Sequence, residues 1–347
     1  MIDIFVPGRL CIVGEHSDWA SKYRKQNPSI EKGYAIVLPT NQGNKASVTQ
    51  IDQNILRFRN PDNKIKEISL DDNSSSLVAK RSKYFCYVGG TLNVILQRYK
   101  DKINHGIEIN NYFSDLPIKK GLSSSASICV LVAKSFNQLF NLNMTIDEEV
   151  EIAYLGELMT SSRCGRMDQC CAYNKPIMIE FDGDQIQVKD INIKTDFHFI
   201  IVDLKKTKNT KKILTKLNTG FPFPINKLDE EKQNFLGKFN KLLVEFSKKY
   251  FENNCHEVLG QLMTKHQDMF DKILCPYCEK ELKEPKLHEI MKYEDIQDLM
   301  YGIKGVGSHG DGTAQILAKN KEAQDKIIEL LENNFDVSCL ELTLESN

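Results

Sequence analysis

The chain of 347 residues has no large excess of positive or negative charge, because 46 basic residues nearly balance 47 acidic ones and the net charge is −1. This balance gives no bulk electrostatic argument for binding nucleic acid or an anionic membrane surface. Long apolar runs are also missing, and the longest, around residues 128–133 and 197–204, fall far short of a membrane span. The sequence therefore predicts a protein that neither binds nucleic acid nor crosses a membrane.

A secretory signal is also lacking, since no basic segment followed by an apolar one opens the chain, and we expect a cytoplasmic protein. The ten cysteines are expected to be free thiols, because a chain of this length needs no disulfide framework. Cys275 and Cys278 form a C-P-Y-C tetrapeptide. It lacks the strand-to-helix context of a redox motif and a second ligand pair for zinc, so an inert turn is favoured over a zinc site with His266 or His288.

Local patterns predict several elements. Thr145 and Glu148 have the spacing of a capping box, which predicts a helix that begins there and runs to about Ser161. The apolar run at 197–203 predicts a strand. The D-D-N-S-S-S segment at 71–76 predicts a surface loop or a flexible connection.

The most informative segment is G-L-S-S-S-A-S at 121–127, which runs straight into a helical pattern of apolar residues. Backbone N–H groups at such a helix start, together with the helix dipole, favour a bound anion such as a phosphate. The segment has no P-loop lysine, so amides, hydroxyls and a metal would hold the phosphate. A plain serine-rich N-cap is the alternative. The predicted phosphate-binding residues are Gly121, Leu122, Ser123, Ser124, Ser125 and Ala126.

Two further segments suggest ligand contacts. In the first, Glu15, His16 and Asp18 crowd the end of an apolar run, where they could hold several hydroxyl groups or form a solvated turn. The second is G-V-G-S-H-G-D-G at 305–312, with four glycines in eight residues. Its backbone could approach a ligand closely, or the segment could be a flexible surface loop.

One carboxylate falls on an apolar helix face. Glu157 shares a face with Val150 and Ala153 in the helix predicted after Thr145. Burying a carboxylate without a partner is costly. A buried ion pair with arginine or lysine and a metal ligand are the two interpretations.

The segments at 7–18, 121–127 and 305–312, in this order and separation, resemble the GHMP kinase superfamily. Its galactokinase-like sugar kinase branch is resembled in particular by P-G-R-L-C-I-V-G-E-H-S-D at 7–18 and G-L-S-S-S-A-S at 121–127, and C-G-R-M-D-Q at 164–169 supports the same branch. The resemblance implies an α+β, two-domain GHMP kinase fold. Its N-terminal, ribosomal protein S5 domain 2-like domain would span 1–195, and a C-terminal, ferredoxin-like α/β domain would span 196–347.

The resemblance also implies an ATP-dependent sugar kinase, with ATP and a monosaccharide as its small-molecule partners. The γ-phosphate would pass to a sugar hydroxyl, by default the anomeric one. Asp168 would be the catalytic base, with Arg9 beside it, and Ser125 and Glu157 would hold Mg²⁺. Arg166 departs from the galactokinase pattern and would either pair with an acid or face the substrate.

The sugar-binding residues implied by the resemblance are Glu15, His16, Asp18 and Gly165. Two other functions stay open. A non-catalytic sensor of the same fold would bind sugar and ATP, but such proteins tend to lose residues of the second motif, which is intact here. A kinase of a non-sugar alcohol such as mevalonate is disfavoured by Asp18, because a small hydroxy acid offers fewer hydroxyls to bind.

Overall fold

The computed structural model describes residues 1–81, 83–118, 120–162, 164–207 and 209–346. In these ranges the strands are β1 Ile2–Val13, β2 Gly33–Ile51, β3 Ile55–Arg59, β4 Ile65–Ser69, β5 Gly106–Ser114, β6 Ile177–Asp182, β7 Gln185–Asp190, β8 Phe197–Asp203, β9 Met300–Gly305, β10 Thr313–Ala318 and β11 Ser338–Leu344.

Helices alternate with these strands and are concentrated after β8. They are α1 Ser17–Ala20, α2 Asp72–Arg81, α3 Cys86–Tyr99, α4 Ser124–Phe140, α5 Ile146–Leu158, α6 Thr210–Leu217, α7 Lys227–Asn234, α8 Asn240–Glu252, α9 His256–Ile273, α10 Glu279–Leu282, α11 Pro285–Met291 and α12 Lys321–Asn334. Within the described ranges, none of them combines the length and the apolar character needed to span a membrane.

Contacts divide the chain into two compact units, and the first comprises Met1–Arg9 and Pro39–Asn174. Its strands follow the order β4-β3-β5-β2, in which β3 and β5 are parallel and the other neighbours antiparallel. Helices α3, α4 and α5 pack against one another. Glycine is required where α3 meets α5, because a Cβ on Gly90 would lie 2.1 Å from the carbonyl oxygen of Gly156. This close approach fixes the last turn of α5, which carries Glu157.

The second unit comprises Leu10–Leu38 and Lys175–Asn347. In it the first residues of β2 pair with β6, and β7 pairs with β6. A separate antiparallel sheet follows the order β11-β8-β10-β9. Helix α9 packs closely on β9, since a Cβ on Gly302 would lie 1.9 Å from the carbonyl oxygen of Gly260. This contact sets the position of the polar side chains that α9 and β9 bury.

Several predictions of local structure are confirmed. The mixed α and β composition is observed, and the strand predicted at 197–203 is β8. Thr145 is the N-cap of α5, and both hydrogen bonds of the capping box with Glu148 are present. The helix ends at Leu158 rather than near Ser161, because the Thr160 hydroxyl and amide turn back to the carbonyl oxygen of residue 157.

The loop predicted at 71–76 is wrong, since α2 begins at Asp72. The Asp71 carboxylate accepts hydrogen bonds from the Ser74 amide at 2.7 Å and from the Ser74 hydroxyl at 2.9 Å, which is an N-cap arrangement. Residue types that form turns also start helices, and the sequence pattern did not separate the two. The predicted domains, 1–195 and 196–347, are continuous stretches of chain, whereas each of the two compact units combines two separate stretches. The domain ranges stay a prediction.

Candidate active site

The predicted phosphate loop lies immediately before α4. Gly121 and Ser123 have φ angles of 75° and 59°, in the left-handed region, and Ser123 is the N-cap residue of α4. Its hydroxyl does not cap the helix but donates a hydrogen bond to Asp168 Oδ1 at 2.9 Å. The first amides of α4 therefore have no side-chain cap, and this end of the helix can accept an anion.

Arg9 connects the loop to Asp168. Its Nη1 donates to the carbonyl oxygen of Gly121 at 2.9 Å, and its Nη2 forms an ion pair with Asp168 Oδ1. The Arg9 amide also donates to the carbonyl oxygen of Leu122 at 3.2 Å. Gly8 permits this approach, since a Cβ there would lie 2.7 Å from the same oxygen. One buried guanidinium thus holds both the loop and the carboxylate in place.

The Asp168 carboxylate presents one oxygen to these donors. Its side chain is 26% exposed and lies at the start of the short 3-10 helix Asp168–Tyr173. Arg9 and Ser123 both donate to Oδ1, and no described residue donates to Oδ2. Oδ2 is therefore the oxygen that could receive a proton from a substrate hydroxyl.

Glu157 is buried, with 1% of its surface exposed. Its Oε1 accepts hydrogen bonds from the hydroxyls of Ser125 at 2.7 Å and Ser162 at 3.0 Å. Its Oε2 accepts a bond from Gln169 Nε2 at 2.8 Å. In the described part of the chain no ion pair involves Glu157, so the ion-pair interpretation receives no support there.

The surroundings of Glu157 fit a hard cation. Burial, followed by the nearby charge of Asp168, raises the pKa of the Glu157 carboxyl, while the bonds from Ser125, Ser162 and Gln169 oppose the shift. Gln169 is fully buried, and no described residue forms a hydrogen bond with its Oε1. A carboxylate, a hydroxyl and an amide oxygen are ligands that suit Mg²⁺.

Sequence reasoning did not single out Ser162 or Gln169 as contacts of Glu157. Gln169 had a signal, since it directly follows Asp168 in the C-G-R-M-D-Q segment. Ser162 had none, because it follows the end of α5 in an irregular segment. Their contacts with Glu157 exist only once that segment has turned back along α5.

Arg166 pairs with an acid. Its guanidinium donates to both oxygens of Glu151 on α5 and lies over the ring of Tyr154, 4.2 Å from the ring centre. Of its two predicted roles, the structure shows the pairing. Gly165, a predicted sugar contact, is half-buried in the same loop.

The other predicted sugar-binding residues follow β1 and belong to the second unit. Glu15 and His16 are 3% and 6% exposed, so a solvated turn does not describe them. Glu15 Oε1 accepts a bond from buried Lys304, and His16 Nδ1 accepts one from Trp19 Nε1 at 2.9 Å. Asp18 is only half-buried, in the first turn of α1.

The glycine-rich segment at 305–312 is largely buried rather than a flexible surface loop. The Asp311 carboxylate accepts bonds from the amides of Lys286 at 3.3 Å and Leu287 at 3.0 Å, and so caps α11. The Gly310 amide donates to Glu284 Oε1 at 2.6 Å. These contacts give the segment a structural role at the start of α11.

All ten cysteines lie in the described part of the chain, and none of them forms a disulfide, as predicted. Burial raises the pKa of the Cys275 thiol to about 11, so it is not a reactive thiolate at neutral pH. Within the described residues, the group with the spacing of metal ligands is Glu15, His266 and His309, and it includes neither Cys275 nor Cys278.

The chain is similar in sequence and in fold to known kinases. Residues 87–175, which include α4, Glu157 and Asp168, match the family model of the GHMP kinases N terminal domain. Over its whole length the chain has the fold of the mevalonate kinase of Methanococcus jannaschii, with a TM-score of 0.75, 22% identity and coverage of 100% of this chain and 98% of that one. The predicted resemblance to the GHMP kinases and the predicted fold class are confirmed.

Galactokinases are among the relatives by sequence. The chain is 30% identical to the galactokinase of Glaesserella parasuis over 170 residues and 32% identical to that of Clostridium perfringens over 163 residues. These matches cover 48% and 44% of this chain, but only 40% and 38% of those relatives. The Lactococcus lactis galactokinase complexed with galactose has the same fold, with a TM-score of 0.72, 18% identity and coverage of 99% of this chain and 94% of that one.

Proposed function

We propose that the chain is an ATP-dependent sugar kinase that transfers the γ-phosphate of ATP to a monosaccharide hydroxyl, by default the anomeric one. The observation that carries this proposal is the Asp168 carboxylate, which Arg9 and Ser123 hold by one oxygen beside the uncapped N-terminus of α4. The galactokinase relatives support the choice of a sugar as acceptor.

The segment from Gly121 to Ala126 binds the phosphates of ATP in this proposal. Phosphoryl transfer needs little covalent chemistry from the protein, so positioning and charge stabilisation dominate. The amides at the start of α4 point along the helix axis and suit the oxygens of a triphosphate. The bond from Arg9 to the Gly121 carbonyl oxygen supports the position of this loop next to Asp168.

Asp168 acts as the general base in this mechanism. The proton of the attacking hydroxyl passes to Asp168 Oδ2 as the hydroxyl oxygen bonds to the γ-phosphorus. The bond from that phosphorus to the bridging oxygen breaks, and ADP leaves with the electron pair. Arg9 stays bonded to Oδ1 and contributes positive charge next to the transferred group.

Ser125 and Glu157 are the residues that would hold Mg²⁺. When bound, the ion supplies neutralisation of the charge on the β- and γ-phosphates. Glu157 suits this role because it is buried, hydrogen-bonded to Ser125 at 2.7 Å and without an ion-pair partner among the described residues. The orphaned Oε1 of Gln169 supports the same assignment.

The contacts to the sugar rest on the resemblance and form a separate part of the proposal. They are Glu15, His16, Asp18 and Gly165. Asp18 and Gly165 are the more accessible of these four residues. A cytoplasmic location also stays a prediction.

The test is release of ADP by the purified protein with Mg·ATP. The panel contains free monosaccharides, uronic acids, amino sugars, mevalonate and homoserine. We expect turnover with a sugar, and a fall of about 10²- to 10⁴-fold in kcat in Asp168→Asn. Asp101→Asn, an exposed aspartate on another turn of the same unit, is the matched control and should keep full turnover.

Three other results would contradict parts of this proposal. Full turnover in Asp168→Asn would refute the base. Turnover with mevalonate alone would replace the sugar by a non-sugar alcohol. ATP binding without turnover on any acceptor would contradict the kinase and favour the sensor.

A further inference from the structure

His266 lies buried on helix α9. It is 1% exposed, and neither Nδ1 nor Nε2 has a partner among the described residues. Its ring stacks against Phe235, with 5.4 Å between the ring centres. A buried imidazole with two unsatisfied nitrogens is costly, and native structures rarely leave such groups without a ligand.

Two other potential metal ligands lie beside it. One atom each of Glu15, His266 and His309 lies within 4.8 Å of the others, and all three residues are buried. Nε2 of His266 is 4.0 Å from Oε2 of Glu15. In a tetrahedral zinc site, neighbouring ligand atoms are about 3.4 Å apart, so an inward shift of about 1 Å would complete the geometry.

Neighbouring residues contact the Glu15 oxygen and the His309 nitrogen that would not bind the metal. Lys304 donates to Oε1 of Glu15, which directs Oε2 towards the histidines. Nδ1 of His309 lies 3.4 Å from Oε2 of Glu284, so Nε2 is the nitrogen that would coordinate. Gln267 Nε2 donates to the same Glu284 oxygen at 2.6 Å. A carboxylate behind a histidine is the usual support of a metal-bound imidazole.

His16 is not part of this group. Its Nδ1 accepts a hydrogen bond from Trp19 Nε1 at 2.9 Å. Among the described residues, the group with the spacing of metal ligands contains Glu15, His266 and His309.

We propose that Glu15, His266 and His309 bind a zinc ion, with water in the fourth position. Two imidazoles and one carboxylate favour zinc over Mg²⁺, which prefers oxygen ligands. The ion would join the end of β1, helix α9 and the segment at 306–312, all within the second unit. The group shares Glu15 with the proposed sugar contacts, so a zinc ion bound there would remove Glu15 from that set. The proposal does not depend on the kinase chemistry assigned to Asp168.

The test measures the metal bound to the untagged protein. The purified chain is incubated with Zn²⁺, dialysed and analysed by plasma mass spectrometry. We expect about one zinc per chain, and at least a tenfold lower zinc content in the double variant His266→Gln/His309→Gln. His288→Gln is the matched control, because His288 pairs with Asp271 at 2.7 Å outside the group, and its zinc content should equal that of the unmodified protein.

Two further measurements do not depend on the folding of the double variant. Co²⁺ added to the unmodified protein should give the visible spectrum of a four-coordinate site without thiolate-to-metal charge-transfer bands. Glu284→Gln should weaken zinc affinity by about 10- to 100-fold, since the second carboxylate only supports His309.

Three results would overturn the proposal. The first is the absence of zinc from the unmodified protein at micromolar Zn²⁺. The second is an unchanged zinc content in a folded double variant. The third is a thiolate spectrum with Co²⁺, which would move the metal to the cysteines at 275 and 278.

Discussion

Replacing Glu157 by glutamine should leave the fold as stable as before, or more stable, while it abolishes most of the turnover. The unmodified carboxylate is buried, and burial raises its pKa together with the nearby charge of Asp168. The amide removes that buried charge and keeps nearly the same shape. Its oxygen can accept the bonds that Ser125 and Ser162 now donate to Oε1.

The third hydrogen bond of Glu157 can also be kept. The new NH₂ group would face Gln169 Nε2, but rotation of the Gln169 amide by half a turn presents its orphaned Oε1 instead. The number of bonds to residue 157 is then unchanged. We expect the free energy of unfolding without metal to change by less than about 1 kcal/mol, with an increase favoured because a buried charge is lost.

The effect on turnover has the opposite sign. A metal ion contributes several kcal/mol of charge stabilisation in the transition state, and loss of about 3 kcal/mol lowers kcat about 10²-fold. Mg·ATP at 100 times its Kd should stabilise the unmodified protein by about 2.7 kcal/mol, and stabilise Glu157→Gln much less. Denaturant unfolding with and without Mg·ATP, beside the ADP assay, measures both quantities.

The pH dependence provides a further check. The pKa of Glu157 is raised from 4.5 in the folded state, so the native protein binds the proton more tightly than the unfolded chain does. The carboxylate therefore costs stability as the pH rises through the folded pKa, and costs nothing below 4.5. The stability gained by Glu157→Gln should grow from acid to neutral pH. A loss of more than about 2 kcal/mol at neutral pH, or an unchanged kcat, would refute the reasoning.

Two other substitutions test the contacts around Asp168 and the start of α5. Arg9→Lys should lower kcat by about 10- to 100-fold in the ADP assay and lower the free energy of unfolding by about 1–3 kcal/mol. The reason is that one ammonium group cannot bond to both Gly121 and Asp168 with the fork geometry of a guanidinium. An unchanged kcat would contradict the proposed contribution of Arg9 to turnover. Thr145→Ala should lower the free energy of unfolding by about 1 kcal/mol in urea without changing kcat, since it removes the cap at the far end of α5, and a loss of turnover would show that the cap affects the site.

The sequence was sufficient where structure depends on neighbours along the chain. Thr145 and Glu148 form a capping box through bonds that span three residues, so their spacing alone predicted the helix start. The apolar period placed Glu157 on a buried face for the same reason. The segment 71–76 shows the limit of local patterns, because aspartate and serine favour both a turn and a helix N-terminus, and the cap formed by Asp71 decided for the helix.

The sequence by itself determined which residue types form the proposed phosphate, base and cation sites, because each site lies in a short segment with a local pattern. Only the tertiary structure decided how the side chains are used. Gln169 and Ser162 reach Glu157 after the chain turns back at the end of α5, and no spacing encodes that turn. Glu15 lies far along the chain from His266 and His309, and only the folded chain brings one atom of each within 4.8 Å of the others. Burial then determines the partners of these side chains, a property of the folded environment that no single segment carries.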